Sequence, residues 1–173
     1  EFRAGAVIAI PYDAFLAGSR EFQPVLEPGP RATVESVRAS HGRLLIETLE
    51  DVKGRLWLYR CDEGRWIGER VEAPDLGSVI VLDADPRDPR FFFTWAGFTR
   101  PTTLYIGDST GQAREVRRMP EMFDADGLEV RQLQATSRDG TRVPYFLVGS
   151  FGPEGGPRPT LLNGYGGFQV SRT

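Results

Sequence analysis

A set of four short strand signals occurs twice in this chain, at an interval of roughly 45 residues, and it limits the fold more than any other feature. In the first copy residues 33–38 and 43–49 read as strands around His41-Gly42. Lys53-Gly54 then leads into residues 55–59, and Asp62-Glu63-Gly64 into residues 65–71. In the second copy the runs are residues 78–82, 90–95, 102–106 and 113–117, so that Val34 falls on Val79 and Trp57 on Tyr105. Each run is short, rich in β-branched and aromatic residues, and bounded by turn formers, which is how antiparallel strands are written. A repeating four-stranded sheet is the pattern of a β-propeller blade, so the expected fold class is mainly β with about two such blades. A blade cannot bury both faces alone, so the two copies imply neighbours. The chain by itself is expected to expose apolar faces and to self-associate through them or through unpaired edges.

The flanks read differently. Val7-Ile8-Ala9-Ile10 is a short strand signal, the Pro11-Tyr12-Asp13 stretch allows one or two helical turns before Gly18 ends them, and residues 22–26 form another strand signal. After the second copy, Pro120, Asp124, Asp126 and Gly127 break the rhythm, which divides the chain into residues 1–120 and 121–173. Residues 128–136 alternate apolar and polar, Arg138-Asp139-Gly140-Thr141 is a hairpin turn, and residues 143–148 return, with Pro144 suiting an edge. A Gly- and Pro-dense loop follows. Thr160-Leu161-Leu162 is then expected to form a strand running into Asn163-Gly164-Tyr165-Gly166-Gly167-Phe168. Glycines at 164, 166 and 167 let the backbone approach a ligand, while Tyr165 offers a hydroxyl and Phe168 an apolar wall. The plainer alternative, a turn closing an ordinary strand with both aromatics in a core, stays open on these residues alone.

Several function classes are excluded. With 26% charged residues and a net charge of −3, both signs interspersed, there is no electrostatic footprint for nucleic acid or an anionic membrane. No apolar run approaches the ~18 residues a membrane span requires. The lone Cys61 cannot build a disulfide framework or a cysteine metal cluster and reads as a strand residue. Cytoplasmic or otherwise reducing surroundings are expected, with the periplasm left open. The start lacks both an initiator Met and a signal peptide, and the end follows a strand signal, so both termini read as cut from a longer polypeptide.

Other chemical candidates carry less. Gly107-Asp108-Ser109-Thr110-Gly111 matches a nucleophile elbow, but the repeat assigns it to a turn between strands, and no histidine follows it. His41, the only histidine, belongs to a hairpin turn. Glu50-Asp51 and Asp83-Ala84-Asp85 lack the spacing of a calcium loop. The run Phe91-Phe92-Phe93-Thr94-Trp95 is apolar on both faces, as in a buried strand, without the basic residues of a stacking platform. No metal and no cofactor is expected.

The segment Leu161-Leu162-Asn163-Gly164-Tyr165-Gly166-Gly167-Phe168 and the stretch Ala135-Thr136-Ser137-Arg138-Asp139-Gly140-Thr141-Arg142-Val143-Pro144-Tyr145-Phe146 resemble, in order and spacing, two motifs of the prolyl oligopeptidase family of serine peptidases. The resemblance implies the last part of that family's β-propeller followed by the first hairpin and strand of an α/β-hydrolase catalytic domain. It implies a parent enzyme that cleaves short peptides after proline by way of an acyl-enzyme. It also gives Tyr165 the role of oxyanion hydrogen-bond donor and Phe168 a place in the proline pocket. The family's Ser, Asp and His triad would lie beyond Thr173, so no nucleophile, acid or base is assigned here, and the chain alone is expected to be inactive. Asn163 departs from the Tyr that many relatives carry. Two alternatives stand beside this reading: a non-enzymatic propeller interaction module, and a related oligopeptidase with a preference for basic residues.

Overall fold

The computed structural model describes residues 1–152 and 158–164. Its elements are β1 (Val7–Ala9), α1 (Tyr12–Leu16), β2 (Gln23–Leu26), β3 (Ala32–Ser40), β4 (Arg43–Glu50), β5 (Lys53–Asp62), β6 (Arg65–Arg70), β7 (Gly77–Ala84), β8 (Phe91–Gly97), β9 (Thr103–Gly107), β10 (Ala113–Arg118), β11 (Glu129–Thr136) and β12 (Arg142–Gly149). The fold is mainly β and every strand pairing is antiparallel. The two sequence copies become two four-stranded meanders, β3-β4-β5-β6 and β7-β8-β9-β10, and β1-β2 and β11-β12 are separate hairpins.

The turns explain the register. His41 (φ 40°) and Gly42 (φ 72°) are both left-handed, as are Glu63 (φ 47°) and Gly64 (φ 77°). That conformation matches the twist of two-residue hairpin loops. Between β4 and β5 the left-handed pair is Asp51 (φ 48°) and Val52 (φ 64°), so the reversal comes before Lys53-Gly54 and both of those residues lie in the strand. Gly54 has another use: a Cβ there would lie 2.7 Å from the Val79 backbone nitrogen and 3.0 Å from the Gly77 carbonyl oxygen. A bare backbone at Gly54 is what lets β5 approach β7.

The two meanders pack face to face. Leu45, Leu56, Leu58 and Val71 meet Val79, Val81, Phe91, Phe93, Trp95 and Tyr105 in one buried cluster. Burying each large apolar side chain is worth roughly 1.5–3 kcal/mol, so this interface outweighs any single polar contact in the chain. Cross-strand glycines make room for the rings: Gly68 pairs with Tyr59 and Gly107 with Phe91, and a Cβ at either glycine would fall 2.4 Å from the ring opposite. The first sheet is covered on its other face too, where Ile46 and Tyr59 meet Val25 of β2. Leu45 and Ile46, neighbours facing opposite ways in β4, are accordingly both fully buried.

The second sheet has one covered face. Phe91, Phe93 and Trp95 are buried, whereas Phe92 and Thr94 between them are half-buried, so the expected burial on both faces of this strand holds for one face. Ile80 and Leu82 on β7 are 56% and 53% exposed. A second correction concerns the C-terminal side. The hairpin β11-β12 forms as expected, turning at Gly140 (φ 85°), but Thr160-Leu161-Leu162 is not a strand. Among the described residues no strand pairs with them, and Leu161 and Leu162 are 93% and 95% exposed.

Candidate functional site

Five residues carried the serine-elbow pattern, and the structure shows what they do. Gly107 ends β9, and Asp108 then accepts hydrogen bonds from the Thr110 backbone N–H (2.8 Å) and the Thr110 hydroxyl (2.5 Å). The Thr110 side chain and then its backbone N–H hold the Asp108 carboxyl below the usual carboxylate range. Gly111 (φ 80°) donates back to the Asp108 carbonyl oxygen (3.1 Å), and the chain enters β10 rather than a helix. Without a helix the Ser109 hydroxyl has no adjacent helix N-terminus, and a tight Asp-Thr turn accounts for the pattern.

The remaining candidates are likewise turn and sheet residues. His41 closes the β3–β4 hairpin. Asp85 is paired with Arg87 at 2.9 Å and Asp88 with Arg90 at 2.7 Å. Cys61 is an exposed residue near the end of β5. Among the described residues no group of three or more His, Cys, Asp or Glu side chains is placed to hold a metal ion. Two hollows of about 490 and 350 Å³ meet at Pro28, Gly29, Pro30 and Ala32, and neither is lined by serine, histidine or cysteine.

Charged groups within the fold are structural. Arg55 is buried and donates to the Gly54 carbonyl oxygen (3.2 Å) while pairing with Asp75, which Arg70 also approaches at 3.8 Å. Burial pushes the Asp75 carboxyl up, but the Arg55 hydrogen bond and charge, with Lys53 and the Leu76 N–H, outweigh that and leave it below its ordinary value. Tyr59 is raised, by burial first and then by the Glu50 charge.

The candidate pocket residues Tyr165 and Phe168 lie outside the described residues. The approach to them is described: Arg158 Nη1 donates to the Ser150 carbonyl oxygen (2.6 Å), the Thr160 hydroxyl donates to the Arg158 carbonyl oxygen (3.2 Å), and the chain runs on to Gly164. Among the described residues nothing lies within 4 Å of where a Gly164 Cβ would be.

Comparison with known proteins adds what this geometry leaves open. Residues 2–120 match the family model described as prolyl oligopeptidase, N-terminal beta-propeller domain. The chain is 33% identical over 173 residues to the uncharacterized peptidase y4nA of Sinorhizobium fredii, covering 98% of this chain and 24% of that protein. A post-proline cleaving enzyme from Rickettsia typhi superposes with a TM-score of 0.71 at 19% identity, covering 89% of this chain and 23% of the other. Prolyl oligopeptidase B from Galerina marginata, solved bound to a 35mer hydrolysis and macrocyclization substrate, superposes with a TM-score of 0.61 at 25% identity over 74% of this chain and 18% of the other. The chain thus spans about a quarter of the length of such curated peptidases as y4nA. With the family model matching well over half of its residues, the chain belongs to the prolyl oligopeptidase family.

Proposed function

We propose that the chain is a segment of a serine endopeptidase that cleaves short peptides after proline. Residues 1–120, with the two four-stranded meanders as two of its blades, are the C-terminal part of the propeller, and residues 121–173 open the α/β-hydrolase catalytic domain. The observation that carries this reading is the break in the repeat after β10. The four-strand rhythm stops at Arg118, and the next paired element is a hairpin whose turn, Ser137 to Thr141, bears the first of the two family-like motifs. The peptide held by the Galerina relative supports a peptide substrate for the parent.

In this reading Tyr165 donates its hydroxyl proton to the oxygen of the attacked carbonyl, where charge develops in the transition state. Phe168 lines the proline pocket, an apolar wall suiting a ring that has no N–H to satisfy. The serine nucleophile, its histidine base and the orienting acid come from the remainder of the parent polypeptide. The 173 residues alone bring two substrate contacts and no nucleophile. A proline-linked chromogenic peptide incubated with each polypeptide tests this: the parent releases the chromophore and is stopped by a serine-directed inhibitor, and the 173-residue chain releases none. Inhibitor-sensitive release by the short chain would return Ser109 to consideration as a nucleophile.

A further inference from the structure

Beyond β10 the chain crosses residues 119–128, exposed or half-buried throughout, with Gly127 at φ 73°, before it forms β11 and β12. Neither strand of this hairpin contains a buried residue. A two-stranded hairpin is marginal by itself in water, so contacts with the sheets must hold it in place. Two such contacts stand out. The Gln132 side-chain amide donates to the Asp51 carbonyl oxygen, and the Phe146 ring lies 5.1 Å from the Phe98 ring.

Gln132 and Phe146 are register partners, directly opposite one another on a single rung of the hairpin. Their targets are equivalent in the two repeats. Asp51 is in the connection from second to third strand of the first sheet, and Phe98 is in the connection from second to third strand of the second. The Asp51 carbonyl is also held in a fixed direction: Asp51 Oδ1 lies 3.0 Å from Arg31 Nε, and its N–H donates to the Arg31 carbonyl oxygen (3.0 Å). By contrast, the Arg131 guanidinium spends its contacts beyond the sheets, on Glu129 at 2.8 Å and over the Phe151 ring at 4.2 Å.

We infer that the Gln132–Phe146 rung is a two-point latch, clasping the same connection in each repeat, and that β11-β12 opens from the sheets as one unit when the latch is undone. Elements with little burial and few tertiary contacts open at the low end of a protein's stability range, on their own and before the core. One rung makes both contacts, so losing either side chain loosens the whole hairpin.

Amide hydrogen exchange on the 173-residue chain tests the latch without reference to any enzymatic activity, so the fate of the peptidase reading does not enter. Phe98→Ala removes half the latch without altering the hairpin's own sequence, and Gln132→Ala removes the other half. Each is expected to speed exchange of the β11 and β12 amides, and the double variant by roughly tenfold or more, the scale of one hydrogen bond plus one aromatic pair. Protection of β4 and β8 stays as in the unaltered chain, and Val143→Ala, off the rung, leaves the hairpin unchanged. Unaltered hairpin protection in the double variant would overturn the latch. So would a hairpin already unprotected in the starting chain, or a rise in β4 and β8 exchange equal to that of the hairpin.

Discussion

The Glu47 carboxylate, in the first sheet, accepts a hydrogen bond from the Val81 backbone N–H of the second sheet at 2.8 Å. Val81 stands where the β7–β8 register slips, a bulge that turns one N–H away from its ladder and leaves it in need of a partner. Both residues are buried, Glu47 at 8% exposure and Val81 at 2%. Glu47→Ala leaves that donor unsatisfied inside the sheet interface, so the urea midpoint should fall by the equivalent of about 1–3 kcal/mol. Glu47→Gln keeps an acceptor oxygen and should lose less. A midpoint unchanged in Glu47→Ala would remove the contact from the account of sheet pairing.

Gly54 sets how closely the sheets approach. A methyl group at this position would sit 2.7 Å from Val79 N and 3.1 Å from Ser78 Cα, and backbone cannot rotate away as a side chain can. Gly54→Ala is therefore expected to destabilise the chain by about 1–3 kcal/mol, measured by thermal or urea unfolding. Gly29→Ala is the matched control, since nothing lies within 4 Å of a Cβ there. Equal losses at the two sites would contradict the close-approach argument.

Acid should weaken the fold through two carboxyls. Asp75 lies below its ordinary value, because the Arg55 hydrogen bond and charge overcome the upward push of burial. Asp88 is lowered to about 2, first by the Arg90 side chain and then by its backbone N–H. A carboxyl depressed on folding stabilises the protein fully above its unfolded value and loses that stabilisation as pH falls through the folded one. The thermal midpoint should thus decline between about pH 4, the unfolded carboxylate range, and about pH 2. Asp75→Asn should flatten that decline. Identical slopes for Asp75→Asn and the unaltered chain would show that the Arg55 pair plays no part in it.

The open face of the second sheet should make the chain associate with itself. Ile80 and Leu82 present apolar surface that a neighbouring sheet would cover, whereas on the outer face of the first sheet Ile46 and Tyr59 are covered by Val25 of β2. Light scattering at micromolar concentration is expected to find species larger than the monomer, and Leu82→Glu to shift them toward it. A sharp monomer peak from the unaltered chain would contradict this.

Much of the fold could be read from the residues. The eight strands of the two repeats stand where the apolar runs and turn formers put them, and His41-Gly42 and Glu63-Gly64 are hairpin turns as their residue types require. A turn between β4 and β5 was legible, with Glu50-Asp51 in it, but its left-handed pair was not, because Gly54 looks like a turn glycine while its use is tertiary, and a residue such as Val52 seldom adopts a left-handed φ. Thr160-Leu161-Leu162 has the composition of a strand but pairs with no strand among the described residues, and composition does not report a missing partner. Glu47–Val81 and Gln132–Asp51 join residues 34 and 81 positions apart, so no local pattern could have announced them. Of the candidate site, the false elbow at Ser109 was legible from its place in the repeat, whereas Tyr165 and Phe168 rest on resemblance and lie outside the described residues.

The central claim, that the glycine-rich segment after Asn163 belongs to a peptidase site, is tested most directly by kcat on a proline-linked peptide, comparing the full-length parent with its Tyr165→Phe variant. Loss of one hydroxyl donor to the developing oxyanion should lower turnover by ~10²-fold or more, while the variant still folds and binds substrate. Turnover equal to that of the unaltered parent would take Tyr165 out of the reaction and contradict the assignment of this segment to the active site.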